Sequence, residues 1–159
     1  MRKFSFVLGA ILVLSASPAA VSAKHKSKPP TTFAGAGQRL HFSFGGSIKL
    51  RNDNTKVSGN FMIIAHPAAP GGDTLSVVCT YHALSKATVE GTTLGFDAQG
   101  HCKTIMKSGE ITKVPVTNHF TFVDNGATGD TIHVEGDVIS IPTGELSFGD
   151  FTLTVPQPS

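Results

Sequence analysis

From Phe33 to Val155 apolar and polar residues alternate almost throughout. A two-residue period is the mark of strands with one buried face. Leu40, Phe42 and Phe44 alternate with His41 and Ser43, and the same parity resumes at Ile48 and Leu50 beyond Gly45-Gly46. That pattern predicts one long strand with a glycine bend, or two strands in line. Arg51-Asn52-Asp53-Asn54 has turn chemistry. Val57, Phe61, Ile63 and Ala65 form the return strand, and Met62 and Ile64 make both of its faces apolar, as in a central strand or one facing a partner. After a Pro- and Gly-rich loop, Pro67 to Gly72, the alternation continues through Leu75, Val77, Cys79 and Tyr81, then Ala87 and Val89, then Leu94 and Phe96.

Asp97-Ala98-Gln99-Gly100 reads as a hairpin turn, with a strand from Cys102 to Met106. Lys107-Ser108-Gly109-Glu110 turns again. In Ile111 to Val116, Pro115 points to an edge strand or a bulge. His119 to Val123 is a strand, Asp124 to Asp130 a polar loop, and Ile132 with Val134 another strand, followed by Val138 to Ile141. Pro142-Thr143-Gly144-Glu145 reads as a turn. The parity of Leu146 and Phe148 changes to that of Phe151, Leu153 and Val155 across Gly149-Asp150, as at a bulge. No segment carries a helical stripe of ten or more residues. Turn signals recur about every 8–12 residues, so the expected fold is a single all-β domain. It would be an antiparallel meander of roughly 8–10 strands, either a closed barrel or a β-sandwich.

The first residues break this rhythm. Met1, Arg2 and Lys3 precede an apolar run from Phe4 to Leu14, and Val21-Ser22-Ala23 offers a small-x-small cleavage pattern. This is a secretory signal over residues 1–23, with cleavage between Ala23 and Lys24. The run is short of the ~20 apolar residues a membrane helix needs, and no later segment supplies a transmembrane span. No Cys follows the cleavage site to take a lipid anchor. The chain is therefore expected to be secreted or periplasmic. Residues 24–34, with three lysines and the Pro29-Pro30 pair, read as a disordered leader, and 35–156 as the β domain.

Once the signal is set aside, charge loses its apparent meaning. The full chain carries 13 basic and 11 acidic residues. Without Arg2 and Lys3 the balance is even, and from Phe33 onward it is 8 basic against 11 acidic, net −3. A nucleic-acid partner needs a concentrated basic face, which is missing. The 136 residues after Ala23 are enough for one domain with a real core.

Cys79 and Cys102 are the two cysteines. An even count in an exported chain predicts a disulfide. The bridge would close a loop of roughly two dozen residues and contribute about 3 kcal/mol. The spacing is neither a redox C-x-x-C nor part of a zinc set.

Short phrases of the chain resemble a known family. They are Lys56-Val57-Ser58-Gly59-Asn60-Phe61, Val77-Val78-Cys79 with Lys86-Ala87-Thr88-Val89-Glu90-Gly91, and Phe120 to Gly126 with Gly129 to Ile132. Together they resemble the post-COAP domains of secreted and surface bacterial proteins. The resemblance implies an exported β domain, without a settled biochemical activity and without catalytic residues to carry over.

Candidate chemistry is sparse. Asp124, Asn125, Gly126, Gly129 and Asp130 offer oxygens to Ca²⁺, but without the spacing of a calcium loop, and they make good turns by themselves. His41, His66, His82, His101, His119 and His133 largely occupy polar parity, and a metal would need several to converge. There is no G-x-S-x-G and no H-E-x-x-H, and Glu90, Glu110, Glu135 and Glu145 sit near turns. With no Trp and only Tyr81, an aromatic sugar platform is poorly supplied. No cofactor is implied. The leading expectation is a non-enzymatic exported β domain, a structural or interaction module with an envelope partner. Behind it stand a barrel carrier of a small apolar ligand and a hydrolase-type enzyme with an unrecognised site.

Overall fold

The computed structural model describes residues 29–51, 54–67, 72–127 and 129–157. The expected signal and its Ala23–Lys24 cleavage site lie outside them, as does the leader up to residue 28. All regular structure among the described residues is strand: β1 (Thr31–Arg39), β2 (Phe42–Arg51), β3 (Lys56–Ala65), β4 (Thr74–Glu90), β5 (Thr93–Met106), β6 (Ile111–Val123), β7 (Thr131–Gly136), β8 (Ile141–Glu145) and β9 (Phe148–Thr154). They form one sheet in the order β8-β7-β6-β5-β4-β3-β2-β1-β9, with antiparallel neighbours.

The last step of this order dictates the shape. Strands β8 and β9 are the two edges of the sheet, yet only Leu146 and Ser147 separate them in the chain. Two linking residues reach no further than about 11 Å. The edges must therefore lie close together, and the sheet curls into a half-barrel. The curl is helped where β3 and β4 part company. Their ladder holds only from Phe61–Tyr81 to Ala65–Val77, and β4 shifts register against β5 between Tyr81 and Ala83 and again between Ser85 and Thr88. Lys86, inside the second irregularity, takes φ 48°. Such bulges sharpen twist and bend a sheet. The fold thus lies between the expected barrel and sandwich, as one meander sheet rolled on itself.

The inward face carries the core. Phe33, Phe61, Phe96, Phe120, Phe122 and Phe151 are all within 2 % of complete burial and form a continuous set of ring contacts at centroid distances of 4.7–6.3 Å. Room for these rings comes from glycines directly opposite large residues. Gly46 faces Phe61, Gly35 faces Phe151, Gly37 faces Phe44 and Gly100 faces Tyr81. A methyl group at any of these glycines would collide with its neighbours. The small–large pairing is what lets a tightly curled sheet hold so many rings at interior density.

Several boundaries depart from the pattern reading. Strand β1 begins at Thr31, inside the expected leader, and Phe33 is in the core. The glycines of β1 hide its alternation, because they contribute a face without a side chain. Leu40 belongs to the β1–β2 turn, with φ 54° and 59 % exposure, so the next strand starts at Phe42. Asp97 to Gly100 is not a turn but the middle of β5: Ala98 is buried and Gly100 makes space for Tyr81. Pro142 to Glu145 belongs to edge strand β8, where a proline is tolerated. Pro115 lies within an unbroken β6, on a stretch that β7, paired only from Asn118, leaves uncovered.

Candidate functional site

The polar side chains of the interior and of the two edges have identifiable structural tasks. At the seam, Asp130 is 2 % exposed and accepts the Phe151 N–H (2.6 Å) and the Asn125 N–H (2.8 Å). Asp124 accepts the Leu153 N–H (2.7 Å) and the Gly126 N–H (2.9 Å). Two edge donors of β9 thus end on carboxylates from the β6–β7 loop. On the other edge, Arg39 donates to the carbonyls of Pro142 (3.1 Å), Thr143 (3.1 Å) and Glu145 (2.9 Å) in β8. Charge-assisted bonds of this kind are stronger than neutral ones. They stand where a closed barrel would have a backbone ladder. Asp150, beside this loop, has its pKa raised by desolvation, by a hydrogen bond with Asp130, and by the charges of Asp130 and Asp124. The loop that offered oxygens to Ca²⁺ is therefore a latch, each of its four carboxylate oxygens accepting a backbone N–H.

One polar chain crosses the core. The Tyr81 hydroxyl donates to Asn118 Oδ1 (2.8 Å), and Asn118 Nδ2 donates to the Ile139 carbonyl (2.8 Å). Burial pushes the Tyr81 pKa up. Asn118 sits at inward parity between Val116 and Phe120, and that polar break in an apolar face was visible in the sequence. Its role is to pin the β7–β8 connection, so that Ile139 tucks under the sheet at 4 % exposure.

Beside that connection the inward face meets open space. A mouth of about 270 Å³ is lined by Phe42, Ala65, Val77, Thr104, Val138 and Ile139, with His41 and His66 at its polar side. His41 packs on Phe42 with ring centroids 4.1 Å apart, and His66 Nε2 lies 3.1 Å from Ser43 Oγ. The backbone His66 N–H bonds to the His41 carbonyl, which ties the two histidine segments together. A concave, mostly apolar lining with a few convergent polar groups is the usual form of a small-molecule site.

The other histidines do not join this group. His82 and His101 stack in a separate groove of about 430 Å³. His119 Nδ1 donates to Asp97 (2.7 Å), which also pairs with Lys86 (2.9 Å). The His119 and Lys86 bonds together hold the Asp97 carboxyl below its ordinary pKa. His133 Nδ1 donates to the Ile141 carbonyl. Among the described residues no group of three or more His, Cys, Asp or Glu is arranged to hold a metal. The expected disulfide is present: Cys79 and Cys102 are direct cross-strand partners on β4 and β5, fully buried, with Cα atoms 3.9 Å apart. It braces the sheet next to the mouth-lining Val77 and Thr104. Among the described residues no helix is long and apolar enough to cross a membrane.

Comparison with known proteins adds no template: no family model, no curated protein and no solved structure matches the chain.

Proposed function

We propose that this protein is an exported, non-enzymatic β domain that acts by binding, and that its mouth takes a small apolar ligand. The observation that supports this reading is the mouth itself. There the buried Phe42 and the partly buried Val77 border an open concavity. The rest of the interior is occupied by the Phe cluster, so the ligand sits at the end of the curl and not in a central cavity. The volume lies just below the usual range of about 300–1,000 Å³ for ligand clefts. It suits one substituted ring or a short acyl chain, with a polar head toward His41 and His66. Export is supported by the signal-like first residues and by an oxidised cysteine pair, which belongs in an oxidising compartment. The resemblance to secreted post-COAP domains points the same way.

Amide chemical shifts recorded while the purified protein is titrated with benzoate-type aromatics and short fatty acids test the proposal. Saturable changes confined to Phe42, Ala65, Val77, Thr104 and Ile139 are expected. Ala65→Phe, which fills the mouth, should abolish them while leaving the fold unchanged. No saturable binding, or shifts that ignore Ala65→Phe, would remove the mouth as a site.

A further inference from the structure

The bulge in β4 has a second consequence, independent of the mouth. The register shift between Tyr81 and Ala83 brings the exposed His82 alongside His101 of β5. Their rings lie parallel, 10° apart in plane, with centroids 5.9 Å apart. Both line an open groove shared with Gln99, Pro115, Thr117 and Asp137. Among the described residues neither ring has a hydrogen bond to a carboxylate or carbonyl such as orients His119 and His133. The two imidazoles thus stand side by side along one open groove.

We propose that His82 and His101 form a two-imidazole site for a divalent transition metal, with water completing the coordination sphere. An imidazole nitrogen binds such a metal at about 2.0–2.1 Å. To share one ion the rings, 5.9 Å apart at their centroids, turn toward each other, and the His82 side chain is exposed. Neutral nitrogen donors on adjacent strands select borderline metals, and Cu²⁺ ranks above Zn²⁺. The Asp137 carboxylate in the same groove adds favourable charge. Because a metal binds only neutral imidazole, protons compete with the ion for these rings.

Calorimetric titration of the purified protein with CuCl₂ and ZnCl₂ at neutral pH, together with Cu²⁺ electron paramagnetic resonance, tests the site. One equivalent of Cu²⁺ is expected to bind more tightly than Zn²⁺, with a spectrum showing two nitrogen donors. His82→Ala, His82→Gln and His101→Gln should each weaken Cu²⁺ binding by roughly tenfold or more. His41→Ala and His66→Ala should leave it unchanged. Melting curves without metal confirm that the variants fold, and two different substitutions at His82 guard against a loss of structure. Absence of Cu²⁺ binding, or binding that survives loss of either His82 or His101, overturns the proposal.

Discussion

At the scale of single residues, this protein spends its charges on closing its sheet. Asp130 shows the cost of that arrangement, since it brings Asp124 and Asp150 near it at the seam. The raised pKa of Asp150 means that its contribution is favourable below the ordinary carboxylate pKa and is lost as pH rises through the raised value. Asp97 has the opposite sign: its lowered pKa supplies stability above the ordinary value, lost as pH falls through the lowered one. Asp150→Asn should therefore raise the melting temperature at pH 7, and the difference from the parent should vanish near about pH 3, where the carboxyl is protonated in both states. Thermal melts across that range check it. An unchanged or lower melting temperature at pH 7 contradicts the repulsion inferred at the seam.

At the scale of elements, strands were legible where a full side chain stood at every second position. The strands around Phe61–Ala65 and Phe120–Phe122 follow directly from alternation, as does Phe42–Leu50 on either side of its inward Gly46. Those built on glycine did not: β1 presents Gly35 and Gly37 inward, and Gly100 made the middle of β5 resemble a turn. Their small size is explained only by Phe151, Phe44 and Tyr81 on neighbouring strands, which no local window contains. The cysteine pair was legible from its even count together with the signal-like first residues. Its worth is testable at this scale. Replacing both Cys79 and Cys102 by Ala should cost about 3 kcal/mol in denaturant unfolding, without loss of the β circular-dichroism spectrum. A change under about 0.5 kcal/mol would show that the β4–β5 pairing alone holds this part of the sheet.

At the scale of the whole molecule, connectivity decides the fold and side chains finish it. A two-residue link between opposite edges forces the curl, and Asp124, Asp130 and Arg39 hold the edges once they meet. The mouth is what remains open when this closure and the Asn118-pinned connection are in place. None of its lining could be grouped from sequence, because Phe42, Val77, Thr104 and Ile139 come from separate elements that only the rolled sheet brings together. The most direct test is native-state hydrogen exchange at the Phe151 and Leu153 amides. They belong to an edge strand and bond to side-chain carboxylates. The latch predicts strong protection at both, lost in Asp124→Ala and Asp130→Ala while β5 amides stay protected. Free exchange at Phe151 and Leu153 in the unaltered protein would contradict it.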